Sequence, residues 1–323
     1  PNEKKMTKPE ITPIVSNRDV ASPFLTSIQE NAVKPIEPVF LDFKKDMSQL
    51  TAKSDIPVLY KQNTTNDLFQ LIYVFDMGNN NDKALGTAFD YLEYLGTSDM
   101  TPEELKSEFY RLACTFYVSP GNERTYVVLS GLNENMPAAM QLFEKLLADA
   151  QVNKEAYNNL VGDILKARAD AKLNQGQNFS RLMNYAMYGP KSPATNLLTE
   201  AELASMNPQE LVDRIHNQNN YKHRILYYGP SSSKDLLATI DQYHQVPATL
   251  KDIPAGNEFS YLETPATKVL VAPYEAKQIY MAQISNLDKK YDPAIEPTRE
   301  LYNEYFGGGM NSIVFQEMRE TRG

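Results

Sequence analysis

Residues 69–132 read FQLIYVFDMGNNNDKALGTAFDYLEYLGTSDMTPEELKSEFYRLACTFYVSPGNERTYVVLSGL, and their order of elements decides the fold. Phe69, Leu71, Tyr73 and Phe75 fall on one face of an extended segment and Ile72 and Val74 on the other. That pattern predicts an interior strand covered on both sides. Gly78 and the polar run Asn79-Asn80-Asn81-Asp82 end it. Leu85, Ala88, Phe89, Leu92 and Leu95 then recur at three- and four-residue spacing, the period of a helix. Thr101-Pro102-Glu103-Glu104 opens a second helix, with Thr as N-cap, Pro at the first position and Glu104 completing a capping box. Residues 115–119 and 124–132 are rich in Val, Tyr and Thr, and they form a predicted hairpin around Pro120-Gly121-Asn122.

Outward from this stretch, 39–43 and 57–63 read as strands. Three helices are expected over 136–150, 153–174 and 178–189, and two short ones near 200–206 and 208–217. A strand over 223–229 and a helix over 232–244 complete the pattern. Strands and helices come without regular βαβ alternation. The expected class is α+β, a mostly antiparallel sheet packed by helices. Residues 1–38, punctuated by Pro1, Pro9, Pro13, Pro23, Pro35 and Pro38, read as a linker. One domain is expected over 39–245 and a second linker over 246–266. Residues 267–323 read as the start of a second, similar domain that is cut short, with strands at 268–274 and 278–285 and helices at 296–306 and 310–321.

The 323 residues are 42% hydrophobic and 23% charged, a globular composition. The formal charge of -9 argues against nucleic acid and anionic membrane as partners, and no run approaches the ~18 apolar residues of a membrane span. The single cysteine, Cys114, excludes an intramolecular disulfide and fits either a cytoplasmic or a periplasmic protein. Its apolar surroundings predict a buried, inert thiol. Ser231-Ser232-Ser233 lacks a nucleophile-elbow motif and reads as a helix N-cap. The three histidines are His216, His223 and His244; His216 and His223, seven apart across a break between a helix and a strand, read as surface or packing residues rather than as metal ligands.

Two stretches carry a family resemblance. Residues 69–132 resemble the opening domain of pitrilysin-type (insulin-degrading-enzyme-like) zinc peptidases. There a strand ends in Gly, a helix carries His-x-x-Glu-His, and a Gly-Thr turn, a second helix and a hairpin follow. Residues 306–323, FGGGMNSIVFQEMRETRG, resemble the family's Gly-Gly-Gly-Met-x-Ser-x-x-Phe-x-x-x-Arg-Glu-x-x-Gly segment from the next domain. The resemblance implies that Asp90 and Tyr94 stand at the two zinc-ligand His positions, Glu93 at the general base, and Asp163 at the third ligand. Carboxylates without imidazole do not hold zinc tightly at neutral pH, so this degenerate set implies no metal and no catalytic residue in the chain. Zinc is expected in an active half of the full protein. The resemblance further implies that Arg319 contacts peptide substrate, with Gly307, Gly308 and Gly309 in a loop beside the substrate groove. The family's Ser-Arg-Leu is Ser312-Ile313-Val314 here.

The leading expectation is a non-catalytic C-terminal half of such a peptidase, closing the substrate chamber and contacting peptide, with the active half as partner. Three alternatives stay open: a separate non-catalytic subunit paired with an active one, a structural scaffold without a proteolytic role, and an enzyme of other chemistry using Glu93 and Asp163.

Overall fold

The structure, a computed structural model, describes residues 21–276, 278–286 and 291–322. It divides between Asp46 and Met47 into two units. Most of the predicted 1–38 linker lies outside the described residues. Within the rest of it, helix α1 (Pro23–Gln29) starts at Ser22, whose hydroxyl accepts from the Leu25 N–H. Residues 39–43 are not the expected strand. Asp42 and Asp46 accept from the N–H groups of Lys44 and Asp42 and turn the chain into α2 (Phe43–Asp46). Such local carboxylate bonds compete with an extended backbone that has no neighbour to pair with.

The second unit is built on one six-stranded sheet among the described residues. Its strands are β1 (Ser48–Ala52), β2 (Ile56–Gln62), β3 (Leu68–Phe75), β4 (Cys114–Pro120), β5 (Thr125–Leu132) and β6 (Arg224–Gly229). The spatial order is β1-β2-β6-β3-β5-β4. Every neighbouring pair is antiparallel except β2 and β6, which run parallel with Val58 beside Ile225. The α+β class with a mostly antiparallel sheet is thus the observed one.

Helices fill the segments between strands: α3 (Leu85–Leu92), α4 (Pro102–Arg111), α5 (Met136–Asp149), α6 (Lys154–Lys172), α7 (Gln175–Tyr188), α8 (Glu200–Ser205), α9 (Gln209–Asn217) and α10 (Ser233–Tyr243). The core lies between the sheet and these helices. Ile56, Val58 and Tyr60 from β2, Phe69, Leu71, Tyr73 and Phe75 from β3, and Ile225 and Tyr227 from β6 are all buried there. Each such large apolar side chain contributes about 1.5–3 kcal/mol on burial. Tyr60 and Tyr227 sit side by side across the parallel pair with rings stacked at 5.8 Å. β3 lies inside the sheet as predicted, but its second face is only partly covered: Val74 is buried, Ile72 half-buried and Gln70 exposed.

The predicted strands at 268–274 and 278–285 do not form. Their residues carry no regular secondary structure, with Val269, Val271 and Ile279 exposed. A strand completes its backbone hydrogen bonds only against a neighbour, and no described residue supplies one. Helix α11 (Glu296–Phe306) forms where expected. The following segment makes a turn and a short π-helical stretch, Phe315–Glu320, in place of a regular helix. No described helix is long and apolar enough to cross a membrane.

Candidate functional site

The polar run after β3 sets the start of α3. Gly78 passes so close to the β4–β5 turn that a Cβ there would lie 2.4 Å from the Gly121 carbonyl oxygen. Asn79 and Asn80 donate their N–H groups to the carbonyls of Gly121 and Asn122. The side chains of Asn79 and Asp82 in turn accept from Gly86 N and Ala84 N at the head of α3, and Arg214 of α9 holds Asp82 at 2.7 Å.

α3 then buries Leu85, Ala88, Phe89, Tyr91 and Leu92 against the core. The buried Tyr91 hydroxyl donates to Asn153 O at 2.6 Å and accepts from Asn153 N at 2.8 Å. This ties α3 to the N-cap of α6. Asp90, Glu93 and Tyr94 all point away from the core and are exposed. The helix ends earlier than its apolar period predicts: Glu93 is its C-cap, and Tyr94 N bonds Tyr91 O in the turn that follows. Asp90 and Tyr94 therefore do not both lie within the helix. Partial desolvation of its carboxyl, and then the charge of Glu93, raise the pKa of Asp90 above its ordinary value. Asp163 lies on an exposed part of α6 beyond its buried residues Tyr157 and Leu160.

These residues do not fit zinc. The set offers carboxylates and a phenol in place of imidazoles. Among the described residues no three His, Cys, Asp or Glu side chains converge where a metal could bind.

A cavity of about 680 Å³ opens beside Glu93, between the end of α3, α4 and β4. Phe89, Leu92, Phe109, Cys114, Phe116 and Val118 give it an apolar lining. α4, which forms one wall, is held at its start by the predicted capping box, with Thr101 and Glu104 each bonding the other's backbone N–H. Cys114 is buried, and desolvation pushes its thiol up from its ordinary value, which keeps it unreactive at neutral pH. β4 is the last strand of the sheet, paired only with β5. Nothing among the described residues covers the outer backbone edge of residues 115–119 with a hydrogen bond.

Arg319 is exposed, its guanidinium 4.7 Å from the Phe315 ring centroid. Gly307 and Gly308 both donate to Asn303 O at the end of α11. Gly309 takes φ +90, a conformation that favours glycine, and its carbonyl accepts from the Ser312 hydroxyl. The last residue of the second motif, Gly323, lies outside the described residues.

Ser232 is the N-cap of α10, accepting from Asp235 N. His216 contacts the Ala150 carbonyl at 3.1 Å. Of the surface and packing roles, His223 takes packing: it is buried 2.9 Å from the buried His244 through their Nε2 atoms, and His244 meets the buried Glu144 at 2.6 Å. Sequence reasoning missed this cluster. Its trace was present, since Glu144 follows the apolar spacing of Met140, Phe143 and Leu147 on α5, and His244 follows that of Leu236 and Ile240 on α10.

No protein-family model matches the chain. A curated relative, an uncharacterized zinc protease of Rickettsia felis, is 21% identical over 259 residues, covering 76% of this chain and 59% of its own. The chain therefore spans about three fifths of that relative's length. Two solved structures share the fold. The peptidase M16 inactive domain from Pseudomonas fluorescens aligns with a TM-score of 0.61 at 16% identity, covering 86% of this chain and 68% of that one. The periplasmic protease PqqL of Escherichia coli aligns with a TM-score of 0.60 at 14% identity, covering 77% of this chain and 31% of that one. These likenesses agree with the observed sheet and helices: the chain shares the fold of the M16 peptidase inactive domain and of PqqL, and it is similar in sequence to a zinc protease.

Proposed function

We propose that this half grips peptide for an active zinc-bearing half or subunit and helps close the chamber around it. The observation that carries the reading is the open edge of β4 beside the apolar cavity at Glu93. An extended peptide adds to such an edge through main-chain hydrogen bonds, while alternate side chains seek pockets. The cavity suits an aromatic or large aliphatic side chain, since its walls carry Phe89, Phe109 and Phe116. Arg319 and the Gly307–Gly309 loop are assigned a second peptide contact. A guanidinium donates two parallel bonds to a carbonyl or carboxylate, and the Phe315 ring beneath Arg319 preorients it. Glu93 acts as a rim carboxylate and not as a base, because Asp90, Tyr94 and Asp163 offer no imidazole to hold a metal that would activate a water beside it.

The test is fluorescence anisotropy of the full chain with a labelled, unstructured ten-residue peptide bearing Phe at alternate positions. Saturable binding is expected, weakened at least about tenfold by Phe116→Arg, which places a charge in the cavity, and without peptide cleavage. Equal affinity of the two proteins for the peptide would refute the assignment of this edge and cavity.

A further inference from the structure

Behind the sheet, three junctions run in series. Glu144 Oε1 meets His244 Nδ1 at 2.6 Å, His244 Nε2 meets His223 Nε2 at 2.9 Å, and His223 Nδ1 meets Tyr221 O at 2.7 Å. Each of these contacts is a hydrogen bond only if a proton lies in it. The carbonyl of Tyr221 has none to give, so His223 Nδ1 carries one. The two facing Nε2 atoms need a second between them, and the Glu144–His244 contact needs a third. Two neutral imidazoles and a carboxylate hold only two.

We propose that Glu144, His244 and His223 retain three protons at neutral pH and act as a buried, proton-dependent latch. The trio is then electrically neutral, either as carboxylate, imidazolium and imidazole or as carboxylic acid and two imidazoles. A two-proton trio would set two lone pairs against each other and leave a net negative charge out of water.

The surroundings match a neutral trio. From β3, the Tyr73 hydroxyl donates to Glu144 Oε1 at 2.9 Å, and its ring lies 4.3 Å from His244. From the turn after α9, Asn219 donates to Glu144 Oε2 at 2.9 Å. The Gln245 N–H donates to the same oxygen at 3.0 Å. The Phe75 ring closes over His223 at 4.6 Å. Among the described residues Tyr73 is the other titratable group that bonds the trio; burial and then Glu144 push its phenol well up from its ordinary value, so it stays a donor. Among the described residues no Lys or Arg hydrogen-bonds to any member. Burial, and then His244, push His223 down to about 4, which keeps it the neutral ring of the pair.

The latch fastens one stretch of chain. His223 leads into β6, and His244-Gln245 opens the segment that returns along the surface. There Lys251 exchanges backbone bonds with Asn220 and Lys222, and Asn257 N bonds Asn80 O. Unseating Gln245 from Glu144 loosens the root of that strap.

Protons held in the unfolded chain fix the sign of the pH dependence. Free imidazole titrates near ~6.5 and free carboxyl near ~4.3. Below pH ~6.5 the unfolded His223 gains a proton that the folded ring, lowered to about 4, does not take, so its contribution to stability is full above the free imidazole value and is lost as pH falls from there toward 4. A fourth proton enters as His223 titrates near about 4 and opens the His–His junction.

The experiment is long-range ¹H–¹⁵N NMR of the unmodified full chain, labelled at histidine, at pH 7.5, with the Glu144 carboxyl carbon shift read alongside. Three ring protons with an ionised Glu144, or two ring protons with a neutral Glu144, is the expected result. Two ring protons with an ionised Glu144 would overturn the proposal. As a second readout, the Gln245 amide is expected to lose exchange protection ahead of the β3 amides as pH falls from 6 to 4. Protection lost together at both places would refute the latch as a local device.

Discussion

Truncation of Glu144 isolates one side chain with four partners. In Glu144→Ala the Tyr73 hydroxyl, the Asn219 amide, the His244 ring and the Gln245 N–H all lose their partner, and Tyr73, Asn219 and His244 are buried. Removing one partner of a buried ionic network costs about 3–5 kcal/mol, because the groups left behind are desolvated and unpaired. Whole-domain stability is only about 5–15 kcal/mol. At roughly 2–4 °C per kcal/mol for a chain of this size, the melting temperature falls by on the order of 10 °C. Urea titration followed by circular dichroism measures the loss directly, with Glu93→Gln as control. Glu93 is an exposed C-cap, and its substitution stays within about 0.5 kcal/mol. A loss under about 1 kcal/mol in Glu144→Ala would show that water reaches the cluster freely and would refute the buried network.

Three further outcomes follow from local geometry. Gly131→Ala costs about 2 kcal/mol or more by urea titration, because Gly131 has φ +154 and a Cβ there would lie 2.4 Å from the Ala113 carbonyl oxygen. Thr101→Ala removes half of the α4 capping box and lowers stability by about 1 kcal/mol in the same assay. Glu202 is held at about 2, first by its bond from Lys83 and then by bonds from Thr199. With the folded value lowered, its contribution is full above the ordinary carboxylate value and is lost as pH falls toward 2. A carboxyl-carbon NMR titration checks this, and Lys83→Ala is expected to return the midpoint toward the ordinary value.

The legible parts of the fold were those written in local chemistry. β3 follows from its alternating Phe, Leu and Tyr, α4 from Thr101 and Glu104, and the hairpin from Pro120-Gly121-Asn122. β1 went unseen because Ser48–Ala52 is short and polar, as an edge strand can be. The parallel pairing of β2 with β6 is non-local: only the folded sheet brings Val58 beside Ile225. The reverse error came at 268–274 and 278–285, where β-prone residues lack a partner strand and so form none. At the site, the reading of Asp90, Glu93 and Tyr94 as one helical segment came from the sequence alone. The early end of α3 and the cavity under β4 did not, since the first depends on the Tyr94–Tyr91 turn and the second on how α4 packs. The Glu144 cluster joins residues about a hundred positions apart, and an apolar-face Glu and an apolar-face His do not announce each other in one sequence.

The central proposal is that this chain serves as a non-catalytic half without a zinc site of its own. Calorimetric titration of the full chain with zinc at neutral pH tests it most directly. The account predicts no saturable one-to-one binding at micromolar metal, with Asp90→Ala and Glu93→Ala titrating as the unmodified chain does. Tight stoichiometric binding that either substitution abolishes would contradict it and would make the Asp90–Tyr94 segment a metal centre.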